Sequence, residues 1–253
     1  MNLIQTRGFS LGSISLSESD KLVQLYTLQW GRVKAVVRGA RRPRSKLAPA
    51  LDLFTESAFS LHKRAHSELY ILTQAKVLNS HSELKKDLAS ITALQVLADI
   101  LVQSLHDTEF HSEVFTLIRE TLEEMKRGTE GQEAVLTAFG MKFLVLLGYP
   151  LELGSCSECG ASLGRKTVLL IPHRGGALCS ECCPAAASRL KVGPAALEIL
   201  KRLRALPMGK IHILKMKPAF SRAIFLTLLE YLERTMEKKL KTLEYYLSVS
   251  SKF

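Results

Sequence analysis

The sequence predicts an α+β chain: an N-terminal five-stranded OB-fold barrel followed by an α-helical domain with an inserted four-cysteine ribbon. Three observations predict it. Apolar and polar residues alternate through much of the first eighty positions, the hydrophobic period lengthens to 3.6 between Leu84 and Leu147, and two Cys-x-x-Cys pairs stand nineteen residues apart.

The barrel comes first. Phe9–Leu16 alternates apolar with small or polar residues, the period of a half-buried strand. Lys21–Thr27, Val33–Arg38, Leu51–Leu61 and Glu68–Ala75 supply further strands, with a turn at Ser17–Asp20. About five short strands in some eighty residues fit a small closed barrel, and the OB-fold is the kind expected. Trp30, Tyr26, Phe54, Phe59 and Tyr70 lie in or beside these strands and read as core residues rather than as stacking platforms.

Helices follow. Asp87 caps a stripe of Leu88, Ile91, Leu94, Leu97, Ile100, Leu101 and Leu105. A second stripe runs from Val114 to Met125 and stops at Gly128; a third runs from Val135 to Leu147 and ends at Gly148-Tyr149-Pro150. Beyond the cysteines, Pro194–Arg204 and Pro218–Leu247 return to helix. The expected domains are 1–80 (barrel), 81–150 and 191–253 (the two parts of the helical domain) and 151–190 (the cysteine insertion).

The thiols Cys156, Cys159, Cys179 and Cys182 have the spacing of a metal site. Two tight knuckles can present four thiolates to tetrahedral zinc, and Gly160 and Gly175-Gly176 let the chain turn at both. Four thiolates leave no open position for water or substrate, so the expected cofactor is a structural Zn2+. Cys183 adjoins Cys182 as an alternative fourth ligand; symmetric spacing favours Cys182. All five cysteines fall within 156–183, which does not suit the disulfide framework of a small secreted domain.

Several enzyme classes lose support. A zinc deaminase needs His-x-Glu and then Pro directly before Cys-x-x-Cys. His66-Ser67-Glu68, His81-Ser82-Glu83 and His111-Ser112-Glu113 supply the first half, but Ser155 and Leu178 precede the cysteine pairs. Gly-x-x-x-x-Gly-Lys-Ser/Thr, Gly-x-Gly-x-x-Gly and His-Glu-x-x-His are missing from the sequence. The expectation is a non-enzyme. No stretch approaches the length of a membrane span, and the N-terminus makes a poor signal peptide, so a cytoplasmic protein is expected.

Charge points to the partner. The formal net charge is +11, divided as +7 in residues 1–80, −5 in 81–150 and +9 in 151–253. The sharpest concentration is Arg38-Gly39-Ala40-Arg41-Arg42-Pro43-Arg44-Ser45-Lys46, five cations in nine residues. Gly39, Pro43 and Ser45 keep this stretch from continuing as strand or helix, so it should form an exposed loop between barrel strands. Arginine forks grip phosphate two oxygens at a time, and loops of OB-folds contact oligonucleotides. If four to six phosphates are neutralised, affinity for single strands should fall with log salt at a slope of roughly −3 to −4. The C-terminal cations, Lys201, Arg202, Arg204, Lys210, Lys215, Lys217, Lys238, Lys239 and Lys241, read as solvated faces, or else as a groove for an acidic peptide or second strand.

Ser17–Val23, Gly31–Val36 and Arg38–Leu47 resemble the N-terminal barrel of the bacterial recombination mediator RecO family. The resemblance continues through Leu147-Gly148-Tyr149-Pro150, Cys156-x-x-Cys159-Gly160 and Gly175-Gly176-x-x-Cys179-x-x-Cys182 to the segment from Tyr231 to Thr242. It implies a DNA repair protein of the RecF pathway without an active site, nucleoid-associated in the cytoplasm. Such a protein binds single- and double-stranded DNA, anneals complementary strands and assists RecA loading onto strands coated by single-strand-binding protein. The implied partners are RecR and the acidic C-terminal tail of single-strand-binding protein. The implied DNA contacts are Arg38, Arg41, Arg42, Arg44 and Lys46, with Lys34; the implied zinc ligands are the four cysteines. On physical grounds alone, a zinc-ribbon adaptor that binds RNA in transcription or translation suits the same features.

Overall fold

The computed structural model describes residues 3–63, 67–107, 110–128, 132–164, 168–171, 175–182 and 190–250. His66 and Cys183 lie outside them. The chain divides into two compact units, the first drawn from 1–115 with 240–253 and the second from 116–239.

The first unit is built on a closed barrel of β1 (Leu3–Ser15), β2 (Lys21–Thr27), β3 (Gly31–Val37), β4 (Glu56–Lys63) and β5 (Tyr70–Asn79), in the order β1-β2-β3-β5-β4. Neighbours are antiparallel except β3 and β5, which close the barrel in parallel. Alternate residues fill the interior: Val23 and Leu25, Val33, Ala35 and Val37, Phe59 and Leu61, Tyr70 and Leu72 are all buried together. This is the period-2 rule at work, because a strand with one face in the core must keep every second side chain apolar.

The expected strand over Leu51–Leu61 begins later. Ala48–Leu51 is a short 3-10 helix, and the ladder starts only at Glu56. The Ser10 hydroxyl donates to the Leu51 carbonyl (2.9 Å), and the Phe54 N–H donates to the Ser10 carbonyl (2.7 Å). Phe54 is fully buried, with a left-handed backbone (φ 52°) that takes the chain out of the ladder.

Helix α1 (Leu88–Ser104) starts where the sequence predicts, its Asp87 carboxylate accepting the Ser90 N–H at 2.8 Å. The start of α2 (Ser112–Met125) meets the barrel through Phe115, whose ring centre lies 4.9 Å from that of Phe9, and the Tyr26 hydroxyl donates to the His111 carbonyl at 2.9 Å. The predicted helix Pro218–Leu247 is two: α5 (Pro218–Met236) and α6 (Leu243–Ser250). The break is a left-handed cap at Glu237 (φ 54°), with the Lys238 N–H donating to the Glu233 carbonyl at 3.1 Å. Helix α6 packs on α1, and the buried Asp99 accepts both the N–H (2.9 Å) and the hydroxyl (3.1 Å) of Thr242.

In the second unit α3 (Gln132–Leu146) is the central element. Ten of its residues, the eight from Ala134 to Met141 with Phe143 and Leu144, are buried, as expected of a helix covered on nearly all sides. It packs against α4 (Pro194–Ala205), the 3-10 helix Met208–Ile213 and α5. The Lys142 ammonium caps the end of α4 by donating to the carbonyls of Arg204 and Leu206. The insertion contributes a small antiparallel sheet of β6 (Val168–Ile171), β7 (Gly176–Leu178) and β8 (Leu190–Val192), in the order β7-β6-β8.

Candidate nucleic-acid interface and metal centre

The basic stretch leaves β3 and forms the turn before the 3-10 helix. It is a bonded loop, not a free one. The Arg42 N–H donates to the Gly39 carbonyl (3.1 Å), and the Ser45 N–H donates to the Arg42 carbonyl (3.0 Å). Further bonds tie it to the turn between β1 and β2. The Arg41 N–H donates to the Ser19 carbonyl (3.0 Å), Arg41 Nη1 to the Ser17 carbonyl (2.9 Å) and the Gly39 N–H to Asp20 Oδ1 (2.9 Å). The Gly39 N–H, followed by the Ser19 hydroxyl, holds the Asp20 carboxyl below its ordinary value, and the charges of Arg38 and Arg42 add to this. Asp20 is thus the anchor that fixes one loop on the other.

Arg38, Arg41, Arg42, Arg44 and Lys46 are all exposed, and among the described residues none of them forms an ion pair. Five cations on one tethered loop make a concentrated positive field of the kind that binds a polyanion. Lys34 is placed differently. It lies within β3 and pairs with Asp107 (2.7 Å), which also takes Arg32 at 2.6 Å. A sequence separation of 73 residues hides that pair from any local reading. Of the aromatic residues, Tyr26, Phe54, Phe59 and Tyr70 are buried, whereas Trp30 is 43 % exposed, because it occupies the turn between β2 and β3 outside the ladder.

The four thiols lie together. Sγ atoms of Cys156, Cys159, Cys179 and Cys182 are all within 4.8 Å of one another, with Cys159 and Cys179 at 3.9 Å. A tetrahedron with metal–sulfur bonds of about 2.3 Å has edges of about 3.8 Å, so the residues fit a tetrahedral metal ion. The knuckles are shaped by main-chain N–H donors. The Gly160 N–H donates to the Cys156 carbonyl (2.9 Å), the Cys156 N–H to the Ala161 carbonyl (2.8 Å) and the Cys179 N–H to Cys156 Sγ (3.4 Å). Glu152 holds the approach, its carboxylate accepting the N–H groups of Gly154 (2.6 Å) and Ser155 (2.9 Å).

Gly176 is required by the neighbouring chain. A Cβ there would stand 2.1 Å from the Glu152 carbonyl oxygen, and the two strands exchange bonds at that point. Electrostatics also suit a cation. Burial alone would push the Cys156 thiol up, but the N–H groups of Cys159, Cys179 and Glu158 outweigh it and bring it down to about 6. The Cys182 thiol is pushed up, first by its bonds to Cys159 and Cys179. Four thiolates this close ionise together only when a positive charge sits among them. His81 and His111, the described histidines of the His-x-Glu triplets, take no part in this cluster.

Comparison with known proteins places both regions in one family. Residues 1–81 match the family described as recombination protein O N terminal, and residues 85–244 match recombination protein O C terminal. A protein of Desulforamulus reducens named DNA repair protein RecO is 29 % identical over 97 % of this chain and 94 % of its own length. Its namesake in Rubrobacter xylanophilus is 31 % identical over 83 % of this chain and 84 % of its own. That of Symbiobacterium thermophilum is 28 % identical over 97 % of each.

Proposed function

Because the chain belongs to the RecO family of DNA repair proteins, we propose that it binds and anneals single-stranded DNA and assists RecA loading onto strands coated by single-strand-binding protein. The observation that carries the reading is the tethered loop with its five exposed cations, none of them in an ion pair among the described residues. Arg38, Arg41, Arg42, Arg44 and Lys46 grip successive phosphates, and Lys34 contributes less because Asp107 already engages its ammonium.

Annealing needs no bond chemistry. Two strands held on one cationic surface no longer repel each other fully, their effective concentration rises, and base pairing supplies the free energy. The partners proposed are single- and double-stranded DNA, RecR, and the acidic tail of single-strand-binding protein, in the cytoplasm at the nucleoid. Among the described residues no helix is long and apolar enough to cross a membrane.

Cys156, Cys159, Cys179 and Cys182 would hold a Zn2+ ion, which when bound supplies folding energy and no open coordination position. The test is strand annealing on DNA coated by single-strand-binding protein, with that protein either intact or lacking its acidic tail. Annealing is expected to depend on the tail and to weaken with salt. Indifference to the tail would sink the mediator role, and indifference to salt would sink DNA binding by the loop.

A further inference from the structure

The register of the barrel brings a row of aliphatic side chains onto its outer face beside the basic loop. Ile14 stands opposite Leu22, Leu22 opposite Val36, and Val36 alongside Ile71. Their strand neighbours Val23, Val37, Tyr70 and Leu72 are in the barrel core, so the row itself points outward. Leu22, Val36 and Ile71 are half-buried; Ile14 is 63 % exposed, and Leu16, two residues on, is 53 % exposed. A β-bulge between Ser10 and Gly12 shifts the register of β1 just before this point, as bulges do where a strand end is re-aimed.

Charge bounds the row. Arg38 follows Val36 by two residues, and Arg41 is bonded to Ser17 in the hairpin that carries Ile14 and Leu16. At the other end the outward side chains of β2 and β3 are engaged, Tyr26 buried and bonded to the His111 carbonyl and Lys34 paired with Asp107. An aliphatic row alone would suit any apolar surface. Cations fixed along its margin select a partner with flat apolar faces strung on a negatively charged backbone.

We propose that Ile14, Leu16, Leu22, Val36 and Ile71 form a base-contacting platform, on which unstacked bases of a single strand lie while the adjacent arginines hold its phosphates. The proposal rests on the DNA-binding reading and deepens it. Aliphatic contact is not directional and reads no base edge, so the platform takes any base and tells a base from its absence.

The test compares binding of the full chain to an oligothymidine and to an abasic oligonucleotide of the same length and charge. The wild-type chain should bind the abasic strand roughly tenfold or more weakly, as expected for about half of two aliphatic side chains leaving water. Ile14→Ser with Leu16→Ser should lose that discrimination while keeping the salt slope, because no cation is removed. Both residues are more than half exposed, so the variant keeps its core. Ile14→Phe, with a larger flat face at the same point, should raise affinity for oligothymidine and leave the abasic strand unchanged.

If the wild-type chain binds both strands equally well, the platform is wrong and phosphate binding by the loop stands. If it binds neither, the DNA-binding reading falls and the platform with it. Equal losses on both strands in the serine variant, or loss of a protein partner with DNA binding untouched, would assign the row to another task and overturn the proposal.

Discussion

Replacing Arg42 and Arg44 together by glutamine tests the loop most directly. Both side chains are exposed and outside any ion pair of the described residues, and the bonds that shape the loop at these positions are main-chain bonds. Arg41 is the wrong choice for a first test, because its guanidinium also holds the Ser17 carbonyl and its loss would loosen the hairpin. Each cation that neutralises a phosphate of a single strand contributes about 0.7 to the slope of log affinity against log salt. Five engaged cations give a slope of about −3.5, and removing two brings it to about −2.1. Between 50 and 200 mM salt the wild-type chain should then weaken about 130-fold and the double variant about 20-fold. Fluorescence anisotropy with an unstructured oligothymidine measures both slopes, and circular dichroism confirms that the barrel is intact. An unchanged slope in a folded variant would refute phosphate binding by this loop.

Three further outcomes follow from the same geometry. Cys156→Ser, or chelation of the wild-type chain, should remove one metal equivalent and lower Tm, since a structural zinc site contributes roughly 10 kcal/mol or more, while the salt slope stays as it was; elemental analysis and calorimetry read the first two. Lys34→Ala should change the slope far less than either loop arginine, because Asp107 already holds the ammonium; a drop as large as for Arg44 would show that the pair opens on binding. Asp20, with its carboxyl lowered in the folded chain, contributes its tether fully above the ordinary carboxylate value near 3.8 and loses it as pH falls through the lower folded value. Amide exchange should therefore show Gly39 protected at neutral pH, deprotected only below about pH 4, and deprotected at neutral pH in Asp20→Ala.

What the sequence revealed and what it hid divide along physical lines. The α+β order and the thiol cluster were legible because period and spacing are local: β1 to β5, the Asp87 cap and the two knuckles each depend on residues a few positions apart. The exposed loop was legible because Gly39 and Pro43 stop regular structure whatever surrounds them. Pairs made across the fold were not. Nothing near Lys34 announces Asp107, and nothing near Asp99 announces Thr242, 143 residues away. The break at Glu237 was hidden because an apolar stripe continues across it, and a left-handed cap at a residue other than glycine leaves little local mark. The aliphatic row was hidden for a different reason. Ile14, Leu22, Val36 and Ile71 look like ordinary strand residues until the register shows that they share the outer face.

That row also bears on how a binding protein can anneal at all. Phosphate contact alone holds two strands close but leaves their bases to fold on themselves or stack in unproductive ways. Aromatic platforms would hold the bases apart, at about 1–3 kcal/mol per stacked base that pairing must then repay. In this barrel Tyr26, Phe54, Phe59 and Tyr70 are committed to buried positions, and the open face next to the arginines is aliphatic. Such a surface shields bases from water without the stacking geometry that makes aromatic contact strong. A complementary strand can then displace it at small cost, since a base that leaves the platform gains both stacking and hydrogen bonds in the duplex. The expectation separates two properties that usually move together: Ile14→Phe, which should tighten single-strand binding, should slow annealing of naked complementary strands at saturating protein. If annealing instead speeds up in step with affinity, release is not the limiting requirement and weak base contact has no functional value here.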